Sequence, residues 1–118
     1  MLRALRMVTF QCFTLVAAAV AMAVVAHEAQ AGPAPATAMV HIGNFTFNQP
    51  AIIVRTGTTV TWVNDDDIPH TVTSTTKAFK SKVLDTGDRF SFTFAKGGQF
   101  AYFCSLHPHM TGKVVVKA

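Results

Sequence analysis

From Met39 onward the chain consists of short apolar runs, rich in β-branched and aromatic residues and separated by Gly, Asn, Asp and Pro, and no stretch keeps a helical period. The runs at 40–47, 52–55, 58–64, 70–73, 89–94, 99–104 and 112–117 are expected as strands. In Phe90-Ser91-Phe92-Thr93-Phe94 apolar and hydroxyl side chains alternate, so the three rings should enter a core while Ser91 and Thr93 meet solvent. Gly97-Gly98 follows and can supply positive backbone dihedrals, which predicts a hairpin over 89–104. Segment 74–81 lacks alternation and is expected as a surface connection. Together these runs predict an all-β fold, a Greek-key β-sandwich of about seven to eight strands, with Trp62 and the phenylalanines in its core.

The first 31 residues have another character. Arg3 and Arg6 precede an apolar run over 7–26, and Ala29-Gln30-Ala31 ends it with small residues, the layout of a cleaved secretory signal; an uncleaved membrane anchor is the competing reading. The expected organisation is a signal peptide at 1–31, a flexible Pro/Ala spacer at 32–38 and a single domain at 39–118, exported and without stable membrane insertion once the leader is removed. Cys12 leaves with the leader, so Cys104 becomes the sole thiol. An exported domain with one cysteine has no internal disulfide, and Cys104 is therefore buried, reactive or a metal ligand.

Charge narrows the function classes. After residue 31, six Lys and two Arg face five Asp, a small cationic excess. Lys77, Lys80 and Lys82 stand close in sequence but lack the aromatic interleaving of a nucleic-acid surface, so no nucleic-acid partner is expected.

The candidate chemistry lies near the C-terminus, where Cys104-Ser105-Leu106-His107-Pro108-His109-Met110 places a thiolate, an imidazole and a thioether at spacings of three and three. One tight loop can wrap these around a single ion. A fourth ligand must come from elsewhere, and His70 is the best candidate because it opens a strand directly after the 65–69 turn with Pro69. His70, Cys104, His107 and Met110 form the donor set of a blue-copper electron-transfer centre: two imidazoles, a thiolate and a weak axial thioether. Zinc fits less well, because structural zinc prefers several thiolates or imidazoles and catalytic zinc keeps a water position. His41 reads as a strand residue, and His109 should point away from an ion held by its neighbours. Three rival functions remain: a copper carrier or scavenger that delivers the ion itself, an immunoglobulin-like adhesion module, and a Cys-His nucleophile enzyme, for which so short a chain offers little substrate cleft.

These motifs resemble the cupredoxin family over roughly residues 39–117, and the contracted Cys-x-x-His-x-x-Met loop is most similar to the amicyanins among plastocyanin-like proteins. The Thr-Val-Thr-Trp-Val-Asn run ending at Asn64, the Ile68-Pro69-His70 step and the closing Gly112-Lys113-Val114-Val115-Val116 carry the same resemblance. It implies that 39–118 is a copper-binding domain with one ion cycling between Cu(I) and Cu(II), not an enzyme. It also implies a monomeric periplasmic carrier, with transient redox partners: a dehydrogenase as donor, an amine dehydrogenase by analogy with amicyanin, and a c-type cytochrome as acceptor. Two positions depart from the family pattern. Thr71 stands where many relatives have an Asn that braces the cysteine loop, and His109 stands where an aromatic residue is typical.

Overall fold

The computed structural model describes residues 36–118; the leader at 1–31 and the start of the spacer lie outside the described residues. Eight strands run in chain order: β1 (Thr37–Gly43), β2 (Thr46–Asn48), β3 (Ala51–Arg55), β4 (Thr58–Asn64), β5 (Thr73–Ser74), β6 (Arg89–Phe94), β7 (Gly98–Cys104) and β8 (His107–Lys117). They form two four-stranded sheets, one ordered β2-β1-β4-β6 and the other β3-β8-β7-β5. β1 pairs in parallel with β4, and β3 with β8, so the chain crosses repeatedly between the sheets of a sandwich.

Alternation explains the faces. On β4, Thr58, Val60, Trp62 and Asn64 are buried, while Thr59 and Thr61 on the outer face bond Thr93 and Ser91 of β6 through hydroxyl pairs, each 2.7 Å. Tyr102 and Cys104 of β7 and Val114 and Val116 of β8 enter the core from the other sheet. Trp62 lies between the layers, with ring centroids 5.3 Å from Tyr102 and 5.7 Å from Phe79. A fully buried ring of this kind stabilises the fold by roughly 1.5–3 kcal/mol.

Several expectations are corrected. The run at 40–47 is two strands, because Asn44 and Phe45 both take positive φ (51° and 55°) and turn the chain so that Gly43 pairs with Thr46. Segment 89–104 is no hairpin: β6 pairs with β4 and β7 with β8, and the Gly97-Gly98 turn carries the chain from one sheet to the other. Alternation alone cannot separate these outcomes, since it shows that one face of each strand is covered and not by which strand; in the fold Phe94 packs on Phe100, with centroids 5.1 Å apart. The connection at 74–81 is exposed at Thr75–Ala78 and Lys80, but Ser74 and Ser81 are buried at its ends, as is Phe79, which touches four other aromatic rings besides Trp62. Of the run at 70–73 only Thr73 lies in β5, which continues to Ser74, with His70 in an isolated bridge to Leu84, and β8 begins at His107 instead of Gly112. β1 begins at Thr37, inside the stretch expected as spacer, because parallel pairing with β4 extends to Thr37↔Thr59.

Candidate metal centre

Cys104 ends β7, and its Cα pairs with His107 across the two-residue turn Ser105-Leu106. One residue earlier Phe103 pairs with Thr111, so the partner strand bulges by three residues at this point. The bulge is what the chemistry requires. On a regular strand, residues three apart face opposite sides, whereas here His107 turns to the Cys104 sulfur while Met110 stays buried and Pro108 and His109 stay exposed. His70 is held from the other direction by backbone bonds to Leu84, 3.1 Å through its N–H and 2.7 Å through its carbonyl, and it is fully buried.

Three of the four expected residues converge: the donor atoms of His70, Cys104 and His107 all lie within 4.8 Å of one another. The sulfur is 3.7 Å from Nδ1 of His70 and 3.5 Å from Nδ1 of His107. An ion about 2.0 Å from each nitrogen and about 2.3 Å from sulfur, in a trigonal plane, needs nitrogen–sulfur separations of about 3.7 Å, close to the two separations observed. Met110 is buried on the same end of β8, beside Phe45, Phe47 and His109 around a small cleft.

The surrounding bonds orient these donors, and several come from residues that motif reading passed over. Asp66 accepts a 2.9 Å bond from Nε2 of His70, which leaves Nδ1 free to face the sulfur. The same carboxylate oxygen accepts the backbone N–H of Phe45 at 3.0 Å. First the Phe45 N–H and then His70 hold the Asp66 carboxyl down to about 2 from its ordinary 3.8. Buried Asn64 donates to the carbonyls of Ile68 and Leu84, both at 2.9 Å, and accepts the N–H of Asp66, so it fixes the turn that delivers His70. An Asn preceding three aspartates is a legible turn signal; which of the three carboxylates returns to the histidine is not. His41, expected as a strand residue, lies on β1 and pairs with Asp65 on the surface.

Thr71 supplies the bracing that its shorter side chain left open. Its N–H points at the Cys104 sulfur from 3.3 Å, and its hydroxyl oxygen accepts the N–H of Ser105 at 2.7 Å and lies 2.8 Å from the Ser105 hydroxyl. The strand after the first histidine is thus tied to the loop after the cysteine, a link a threonine makes through one oxygen.

Comparison with known proteins agrees with this geometry. Amicyanin from Paracoccus denitrificans is 34% identical over 84 residues, covering 67% of this chain and 64% of that protein, so the chain spans just under two thirds of its length. Amicyanin-alpha from Methylorubrum extorquens is 35% identical over 106 residues, covering 85% of this chain and 88% of its own. Among solved structures, a purple cupredoxin from Nitrosopumilus maritimus superposes with a TM-score of 0.65 at 35% identity, over 68% of this chain and 99% of that one. The Cu(I) form of an amicyanin variant superposes at 0.66 and 32% identity, over 73% and 87%. The model of the copper-binding proteins of the plastocyanin/azurin type matches residues 34–117, which takes in both sheets, the bulge and every residue of the donor cluster. With that span matched and the imidazole–thiolate–imidazole cluster in place, the chain belongs to the plastocyanin/azurin family of copper-binding proteins.

Proposed function

We propose that this chain is a type 1 blue-copper electron carrier whose ion would be held by His70, Cys104 and His107, with the thioether of Met110 as a weaker fourth donor. The observation that carries the reading is the convergence of two imidazole nitrogens on one buried thiol, with His70 held by Asp66 and Cys104 by the Thr71 N–H. Copper bound there supplies a one-electron couple. The protein's part is to keep the donors still. His70 is pinned by Asp66 and Leu84, Cys104 by the Thr71 N–H and by its place at the end of β7, and His107 by its place at the start of β8. Donors that are held in either oxidation state need little rearrangement when an electron arrives or leaves.

The burial of Cys104 also counts against a nucleophilic enzyme, because its sulfur offers a substrate no approach. His107, partly exposed, is the ligand nearest a docked partner. The chain works in the periplasm after loss of residues 1–31, taking electrons from a dehydrogenase and passing them to a c-type cytochrome through small, short-lived contacts. Mature protein should begin near Gly32, as mass spectrometry of the exported form would record.

The test is electrochemical. The copper-loaded chain should give a reversible one-electron wave and exchange electrons with a c-type cytochrome many times while keeping its metal. Loss of copper to a chelator on each reduction would refute electron carriage and establish copper delivery instead.

A further inference from the structure

Phe45 stands in an unusual position for an aromatic residue. It is the second of two successive residues with positive φ in the β1–β2 turn, a backbone region that Asn44 tolerates and that a bulky side chain seldom adopts. It is 46% exposed although most of the other aromatic rings are buried or half-buried. Its ring meets both metal-site imidazoles edge-on, with centroids 5.7 Å from His70 at 86° and 5.0 Å from His107 at 89°. It also lines the cleft shared with Met110 and His109. One side chain therefore spans the gap between the donors contributed by β8 and the donor contributed by the β4–β5 connection.

What holds it there is the Asp66 carboxylate. A single oxygen, Oδ2, accepts both the Phe45 N–H and Nε2 of His70, so the backbone of the turn and the buried imidazole beneath it share one anchor. Asp66 is fixed in turn from below, its N–H donating to Asn64 and its carbonyl accepting the Thr86 hydroxyl at 2.6 Å. The turn cannot lift from the site without breaking the bond to the oxygen that also orients His70.

We propose that Phe45 is a lid over the metal site and Asp66 its latch, so that copper enters and leaves only when the β1–β2 turn swings away. The inference rests on the copper-site reading above and adds to it a gate on metal exchange. Both residues act through position; neither is a ligand. The lid keeps water and competing ligands from the imidazole side of the ion, and the latch makes lid closure and His70 orientation one event.

The experiment follows transfer of Cu(I) from the loaded full chain to bicinchoninate, and uptake of Cu(I) by the metal-free chain. Phe45→Ala should speed both directions by about tenfold or more, Asp66→Ala should speed release by about 10–100-fold, and Phe45→Tyr should restore the original rates. Thermal unfolding of each metal-free variant separates a gate from general loosening, because Phe45→Ala should speed exchange even where its melting temperature matches the parent. Exchange rates of Phe45→Ala within twofold of the parent would overturn the proposal. Should the parent chain take up no copper, the proposed function fails, and the latch is judged separately by amide hydrogen exchange in the metal-free chain. Faster exchange of the Phe45 N–H in Asp66→Ala sustains it, and unchanged exchange overturns it.

Discussion

Gly112→Ala should be among the most damaging single-methyl additions in this protein. Gly112 lies on β8 directly opposite Tyr102 of β7, two residues beyond Met110, while Tyr102 lies two residues before Cys104. A Cβ at Gly112 would sit 2.7 Å from Cε2 of the Tyr102 ring and nearer still to its Cζ and hydroxyl oxygen. Comfortable carbon–carbon contact is about 3.5–4.0 Å. Backbone preference pulls the other way, since alanine in a strand is favoured over glycine by roughly 0.5–1 kcal/mol. The ring has nowhere to go: it is 1% exposed and wedged against Phe47 at 4.7 Å and Trp62 at 5.3 Å. Overpacking of this kind costs about 1–3 kcal/mol, and a rigid obstacle places this case at the upper end. For a domain of this size about 3 kcal/mol lowers the melting temperature by roughly 12–24 °C. Calorimetry of the metal-free protein measures it, and a double-mutant cycle with Tyr102→Val isolates the cause, because that change removes the clashing atoms. Equal costs of Gly112→Ala in the two backgrounds would refute the steric explanation.

Thr71→Val keeps the shape of the side chain but leaves the Ser105 N–H without its acceptor, so it should cost about 1–3 kcal/mol in chemical denaturation and shift the reduction potential, while Thr71→Ser should recover most of both. Burial pushes the Tyr102 phenol above its ordinary value of 10, with the Trp62 side chain opposing in part. A raised folded value means stability is intact below pH 10 and is lost as pH rises through that folded value, so Tyr102→Phe should unfold less readily than the parent in alkaline titration above pH 10. With Met110 proposed as the weak fourth donor, Met110→Gln should keep the visible colour and change the potential, since such a ligand tunes a centre without creating it; complete loss of colour would give Met110 a larger role.

The sandwich was legible because alternation reports burial directly: the faces of β4 follow the pattern from Thr58 to Trp62, with Val63 buried against it, and those of β6 follow it over Arg89–Phe94. Partner choice was not, since a strand's pattern shows that one face is covered without showing by what, and β6 and β7 therefore looked like a hairpin. The Asn44-Phe45 turn stayed hidden because phenylalanine is a poor predictor of positive φ. At the candidate site Cys104 and His107 were singled out by spacing and His70 by its place after the Pro69 turn, and the fold brings these three together. Asn64 was marked by its turn and Thr71 by its place after His70, but their partners were not: the return of Asp66 to His70 depends on the folded turn, and Thr71 reaches Cys104 and Ser105 across 33 or 34 positions, which no local motif encodes.

The central claim is that the thiol of Cys104 and the imidazoles of His70 and His107 form one blue-copper site, and visible absorption on adding one equivalent of copper(II) to the purified chain tests it most directly. The account predicts an intense blue charge-transfer band from thiolate to copper(II), bleached reversibly by ascorbate and abolished in Cys104→Ser. A colourless complex, or a band that survives in Cys104→Ser, would contradict it.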